Sequence, residues 1–386
     1  MTPGHAPHVA VVGAGFVGVV IADALVERGC AVTIIAPTRE LSDASAVTYA
    51  WLNSHRKRPE IYQGLNERGL RHWREEFGPA HPEHVHWCGH TVVLEESANV
   101  DVLTARIEYL ASLGYPTERT TAADVAAELP IHVPEGAATA AFPAEGHCEP
   151  GPIRRALLDE LDRSGRCRWE LGEAVAVDDH AVTLRTGRRI EADRIVVAAG
   201  NGSTDLLRTA GFDLPMVAQD AGGPAWGFLA EARVAGHGIP HPVTADHVNV
   251  RPLDPDLLLV QALELDDAAG PDVAIGQPLH EAFESRVVDL LGRRDVEITA
   301  VRVGHRVIPA DGLSVVGPVG GDPRSGLWTV VTHSGITLAP FLASMVAAEI
   351  VERTQYAVLD DFRPQRFARK ESPAGGFAAP RRPGEQ

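Results

Sequence analysis

Gly13-Ala14-Gly15-Phe16-Val17-Gly18 is a GxGxxG run whose glycines are spaced to hold a diphosphate. An apolar stretch at 9–12 precedes it and reads as a buried parallel strand. Residues 16–28 follow with helical spacing, and Val17, Val20, Ile21, Ala24 and Leu25 form one apolar face. Gly29 ends that helix, and 31–35 reads as the next strand. Gly13 permits the tight turn, Gly15 leaves room for a pyrophosphate against the backbone, and Gly18 lets the helix pack on the strand. The helix start adds N–H groups without partners and about half a positive charge. This strand–helix–strand unit predicts an adenine-dinucleotide site, with FAD as the first expectation. A carboxylate for the ribose is expected about 20 residues on. Ala36 stands there instead, followed by Pro37, Thr38, Arg39 and Glu40. Either Thr38 or a backbone group replaces the acid, or Arg39 faces a 2′-phosphate as in NADP sites. The glycines alone do not choose between FAD and NADP.

Further along, Tyr49, Trp51 and Asn53 alternate, so an extended backbone turns all three to one side. That side lines either a substrate face or the core. His55-Arg56-Lys57-Arg58 is a short basic run, read as a solvated helix start that can also touch phosphates. His81, His84, His86 and His90 lie close in sequence. No set of carboxylates or thiols completes a metal site, so none is expected. No GxSxG elbow or HExxH is present.

The elements that must position these groups are legible by periodicity. Helical patterns cover 60–77, 101–113, 121–129, 150–164, 280–291 and 338–353. Strands are expected within 84–95, around a Cys88-Gly89-His90 turn, and at 194–199 and 327–332. The alternating stretch 218–265 predicts antiparallel sheet. Residues 371–386, rich in Pro, Gly and Arg, read as a disordered tail. Strands of nucleotide-site character recur at the start, middle and end, so one domain is assembled from distant segments.

Bulk properties narrow the function. The formal charge of −17 argues against nucleic acid and against a basic membrane-surface protein. The apolar stretch 9–35 is broken by Gly13, Gly15, Gly18, Asp23, Glu27 and Arg28 and fails as a membrane span. The four cysteines, Cys30, Cys88, Cys148 and Cys167, form no CxxC and no disulfide scaffold. With no basic-then-apolar leader at residues 1–7, a reducing, cytoplasmic location is expected.

Several stretches in this order resemble the D-amino-acid oxidase family of FAD-dependent oxidoreductases, in its glycine oxidase and sarcosine oxidase branch. They are Gly13 to Gly18, Asp43-Ala44-Ser45 with Ala50-Trp51-Leu52-Asn53, Glu145-Gly146 with Glu149-Pro150, and Ala198-Ala199-Gly200. Gly304 to Gly312, His333 to Pro340, and the closing Phe362-Arg363-Pro364-Gln365-Arg366-Phe367 complete the set. The resemblance implies an α/β protein: a Rossmann-like FAD domain (1–86, 145–215 and 301–367) interleaved with a smaller α+β substrate domain on a mostly antiparallel sheet (87–144 and 216–300).

The resemblance also assigns residues. Gly13, Ala14, Gly15, Phe16, Val17 and Gly18 would hold the FAD pyrophosphate, with Ser45 and Ala46 near the phosphates or ribityl chain. Val175 would meet the adenine through its backbone, and Ala198 and Gly200 would let the cofactor pass. Gly335, Ile336, Thr337 and Leu338 would aim backbone N–H groups at the flavin's pyrimidine edge. Arg306 would bind a substrate carboxylate with both oxygens. His333 would orient substrate or take a proton near neutral pH. Tyr49, Trp51 and Asn53 would complete the substrate wall. No cysteine follows Cys167, so the late cysteine that tethers flavin in sarcosine oxidases is missing and FAD is expected to be non-covalent.

The implied reaction is oxidation of the C–N bond of an amino acid or secondary amine to an imine, by hydride transfer to flavin N5. O2 is the expected re-oxidant, with another acceptor as the alternative. Two further readings stay open here: an NADP-dependent oxidoreductase using Arg39, and a non-catalytic FAD-binding member.

Overall fold

The computed structural model describes residues 6–270 and 275–367; the tail expected at 371–386 lies outside them. Two sheets organise the chain. The first has six strands in the order Val315–Pro318, Leu327–Val331, Arg194–Val197, His8–Val12, Ala31–Ala36 and Cys167–Leu171. All its pairs are parallel except the edge pair Val315–Pro318 with Leu327–Val331. Its strands are near-continuous Val/Ile runs because both faces are covered, as parallel strands require. The first helix, Phe16–Glu27, packs between the sheet, the helix Pro150–Ser164 and the last helix, Gly335–Glu352. Val19, Ile21 and Leu25 meet Leu342, Val346 and Ile350 in one core, and each such side chain contributes roughly 1.5–3 kcal/mol by leaving water. The last helix is long and apolar enough to cross a membrane. In this fold it is a core element, with eleven of its residues buried.

The second sheet has eight strands, in the order Glu297–His305, Trp226–Arg233, Leu257–Gln261, Asn249–Asp254, Val243–Thr244, Thr91–Leu94, Ala138–Ala141 and Glu118–Thr120. Only Val243–Thr244 with Thr91–Leu94 is parallel, so the sheet is antiparallel in the main. The helix Gln277–Leu291 covers it, burying Phe283, Val287 and Leu290 against Phe228, Ala230 and Val260. The strand Glu297–His305 runs past the expected boundary at residue 300, because His305 still pairs with Trp226.

The helix at 150–164 begins and ends where its spacing says. Pro150 and Pro152 sit in the first turn, where a missing N–H costs nothing, and Gly165 closes the end at φ +65°. Other helices start earlier than their patterns suggest: Ser97 rather than 101, Gln277 rather than 280, Gly335 rather than 338. A small three-stranded sheet, Ala174–Val177, Ala181–Leu184 and Arg189–Glu191, was not expected.

Candidate active site

The two sheets meet over a cavity of about 780 Å³. At one end, Gly13 sits at φ +115°, and a Cβ there would stand 2.3 Å from the Ala198 carbonyl oxygen. A Cβ on Gly18 would stand 2.1 Å from the Gly13 oxygen, so this glycine sets helix-to-turn contact beneath the cavity and does not line it. Gly15 differs: within 4 Å its Cβ would meet only the Ser45 side chain, with Oγ at 3.0 Å. Its open side is the space a diphosphate needs. Ser45 Oγ accepts the Phe16 N–H at 3.1 Å. Arg154, buried, donates Nε to the Ala14 oxygen and Nη2 to the Arg39 oxygen, both at 2.9 Å. It brackets the glycine turn from behind. Ala14, Phe16, Val17, Ser45, Ala198 and Gly200 all line the cavity. Ala46 does not: it is exposed on the outer side of the short helix Asp43–Ala46.

The ribose end carries Ala36, Pro37, Thr38 and Glu40 on the wall, and Glu173, Ala174, Val175 and Arg185 stand across from the same cavity. Arg39 is turned away. Its Nη2 meets Asp162 Oδ2 at 2.6 Å, and its guanidinium lies 4.6 Å from the Trp169 ring centroid. The NADP alternative therefore loses the residue that motivated it.

At the other end the last helix points its N-terminus into the cavity, and Gly335, Ile336 and Thr337 line it. First-turn N–H groups have no acceptor within a helix. Leu338 is a correction: its N–H is spent on the Ser334 oxygen at 2.9 Å, and its side chain is core. Pro340 explains a second feature. Lacking an N–H, it leaves the Ile336 carbonyl without its intrahelical donor, and Trp73 Nε1 donates to that oxygen at 2.9 Å instead. Tyr62 donates its hydroxyl to Ser334 Oγ at 3.0 Å. The helix start is thus held from outside by two aromatic residues.

Beyond it lies a mixed wall. Tyr49, Trp51 and Asn53 line it, and Tyr49 Oη, Trp51 Nε1 and Asn53 Oδ1 are buried without protein partners. Buried polar atoms ordinarily have partners, and these three have none among the described residues. Arg306 lines the wall too. Its Nη2 meets Asp266 Oδ2 at 2.7 Å, and its Nη1 donates to the Pro224 and Trp226 oxygens at 3.1 and 2.9 Å. Burial lifts the Asp266 carboxyl above the ordinary range, and Arg306 pulls against that. His333 lines the wall as a neutral ring. Burial, with the nearby charges of Lys57 and Arg306, holds its pKa well below the ordinary value. The expectation that it takes a proton near neutral pH is corrected accordingly.

The 53–57 loop is anchored by Glu145, a fully buried carboxylate. Its Oε1 accepts the backbone N–H groups of Ser54 and His55 at 3.0 Å and the Tyr115 hydroxyl at 2.7 Å. His55 Nδ1 lies 3.0 Å from both oxygens. Burial alone would raise Glu145, but His55 and His90 pull it below the ordinary range. Arg106 donates to the His55 oxygen, and to the Lys57 oxygen at 3.0 Å. His55 and Lys57 are buried, so the basic run is not a solvated helix start. The sequence cluster of histidines also separates: His84 and His86 share Glu149, while His90 joins Glu145.

Residues 8–349 match the family described as DAO, FAD dependent oxidoreductase. The chain belongs to that family. It is 27% identical over 368 residues to the glycine oxidase of Pseudomonas aeruginosa, covering 88% of this chain and 93% of that protein. Two solved structures share its fold. The glycine oxidase of Geobacillus kaustophilus superposes with a TM-score of 0.79 at 20% identity, covering 95% of this chain and all of that one. The L-amino acid deaminase of Proteus vulgaris, with its specific insertion sequence deleted, superposes with a TM-score of 0.78 at 19% identity, covering 94% of each.

This DAO-family member is thus an FAD-dependent oxidoreductase, and its cavity fits the cofactor on its own terms: an open glycine cradle and a helix N-terminus face the same space. Sequence reasoning missed Lys57, Glu145 with Tyr115, the Arg154 bracket and Asp266. Lys57 and Glu145 left local signals: Lys57 is the one lysine of a basic run bounded by Trp51-Leu52-Asn53 and Pro59, and Glu145-Gly146 is one of the resembling stretches.

Proposed function

We propose that the enzyme oxidises the C–N bond of a small amino acid or secondary amine that carries a carboxylate, with O2 taking up the electrons. One observation carries this reading. A single cavity joins the Gly13–Gly15 cradle to a wall bearing Arg306, His333, Asn53, Tyr49 and Trp51. Bound FAD supplies the hydride acceptor.

The chain's own residues have the remaining tasks. Arg306 draws a carboxylate to the sheet side of the wall. Neutral His333 can hydrogen-bond without adding charge. Tyr49 and Trp51, whose rings meet edge to face at 6.1 Å, exclude water beside the reacting C–H bond. The first-turn N–H groups of Gly335, Ile336 and Thr337 favour an electron-rich ligand edge. No strong side-chain base is needed for hydride removal, which agrees with a neutral His333. Among the described residues no cysteine lines the cavity, which supports non-covalent FAD. The four free thiols suit a reducing, cytoplasmic setting.

The test is spectroscopic. The purified protein should be yellow, release all its flavin on heating, and bleach anaerobically with a carboxylated amine. Admitting air should restore the colour and yield peroxide. A colourless protein that takes up no FAD in excess, or a flavin that no amine reduces, would sink the proposal.

A further inference from the structure

Trp73 is buried and does not line the cavity, yet it touches both helix starts that do. Its ring lies parallel to that of Phe16, the first residue of the first helix, with centroids 6.2 Å apart. Its Nε1 donates to the Ile336 oxygen at 2.9 Å, in the first turn of the last helix. The two starts themselves nearly meet, since a Cβ on Gly335 would stand 3.4 Å from Val17 Cγ2. Pro340 makes the indole contact necessary. In an ordinary helix the N–H of residue 340 would serve the Ile336 oxygen. Proline has none, and a buried acceptor left without a donor costs stability. The helix Glu60–His72, which leads into Trp73, adds two more ties. Tyr62 donates to Ser334 Oγ at 3.0 Å, and a Cβ on Gly69 would stand 2.6 Å from the Thr337 oxygen, so the two backbones run in close contact. A helix start carries about half a positive charge, and its field falls off within a turn. A cofactor that gains electrons beside it is therefore sensitive to small displacements of those N–H groups.

We propose that Trp73, seconded by Tyr62, is a positioning residue: it locks the first turn of the last helix to the glycine cradle and thereby sets the electron affinity of the bound flavin from outside the cavity. This rests on FAD occupying the cavity and holds whichever amine is oxidised. No atom of Trp73 has to touch the cofactor, because the indole acts through the Ile336 carbonyl and the Phe16 ring.

The test reads the equilibrium between oxidised and two-electron-reduced flavin in the full FAD-loaded chain, titrated anaerobically with dithionite beside a reference dye. Trp73→Phe keeps a ring to stack on Phe16 and removes the N–H. It should lower the reduced-to-oxidised ratio at a fixed potential by about 10-fold, or about 30 mV for two electrons, and Tyr62→Phe should move it the same way. Adding Pro340→Ala to Trp73→Phe returns an N–H to position 340, so the double variant should come back within about 3-fold of the parent. Trp328→Phe is the control: an equally buried indole outside the cavity, whose N–H meets the Ser325 oxygen at 3.0 Å. It should lose stability and leave the ratio within about 2-fold of the parent. A ratio unchanged in Trp73→Phe would overturn the proposal. So would an equal shift in Trp328→Phe, which would mark general loosening, or a double variant that stays shifted. Where Trp73→Phe does not fold, Tyr62→Phe and the double variant carry the same decision. A parent that takes up no FAD would overturn the flavin assignment together with this proposal, and its lack of colour tells that failure apart from the others.

Discussion

Arg306 Nη2 and Asp266 Oδ2 lie 2.7 Å apart, directly over Gly227. A Cβ on Gly227 would come within 2.5 Å of that nitrogen and 2.6 Å of that oxygen, so the pair lies against bare backbone. Asp266 is 3% exposed and also accepts the Phe228 N–H at 2.7 Å. The guanidinium is therefore aimed by a buried carboxylate before any ligand arrives. Arg306→Leu should raise KM for a carboxylated substrate at least about tenfold more than for the matching neutral amine, with kcat changing less. Steady-state kinetics on the two substrates decide it; equal effects would remove Arg306 from carboxylate recognition.

The glycines separate binding from folding. Gly15→Ala sets its methyl 3.0 Å from Ser45 Oγ, a side-chain atom that can give way, so the chain should keep its Tm within a few degrees and lose FAD affinity by about 100-fold or more. Gly13→Ala meets backbone at 2.3 Å and a left-handed φ, which should cost about 2–4 kcal/mol of stability. Fluorescence titration with FAD and thermal melts read the two effects. Equal melting losses for both variants would contradict the assignment.

Acid should loosen the loop behind the site. His55 has its pKa pushed down to about 4 by burial, against an ordinary 6.5. Its unfolded form therefore binds a proton that the folded form refuses between those values. Stability is full above about pH 6.5 and falls toward pH 4, by up to about 1.4 kcal/mol per pH unit from this residue alone. His147, held lower still at about 2 by burial and by Arg251, acts in the same direction. Glu145, held low, adds its own loss only at lower pH. Melting temperatures across this range should be level above neutrality and drop below it, and His55→Gln should flatten part of the slope. A parent curve flat down to about pH 4.5 is the contrary result.

His333 is neutral over the working range, so kcat/KM should show no ionisation belonging to it near pH 6.5. His333→Gln should keep the parent's apparent pKa values while lowering kcat/KM by about 10-fold or less. Loss of an acid limb in that variant would restore His333 as a proton acceptor.

The parts of this molecule that were readable in the sequence are those written over short distances. The Gly13–Gly18 turn, the helix 150–164 with its prolines and Gly165, and the last helix all follow local rules. Pairings across the chain were not readable. Glu145 meets His55 from 90 residues away, Arg154 reaches Ala14 from 140, and Asp266 reaches Arg306 from 40. Without the Glu145 partner, His55-Arg56-Lys57-Arg58 looks like a wet surface. Arg39 misled for the same reason, since Asp162 and Trp169 that claim it lie more than 120 residues on. Ala46 and Leu338 were placed by neighbourhood: each follows a residue that lines the cavity, and one step along the helix, about 100° around its axis, carries each away from it.

The strands Trp226–Arg233 and Glu297–His305 pair from end to end, and the second delivers the chain straight to Arg306. The guanidinium is bolted to a girder, whereas the 53–57 stretch is slung from two side chains, Glu145 and Arg106. A lineage adapting to a bulkier or smaller amine would therefore reshape the slung side and leave the girder's end where it is.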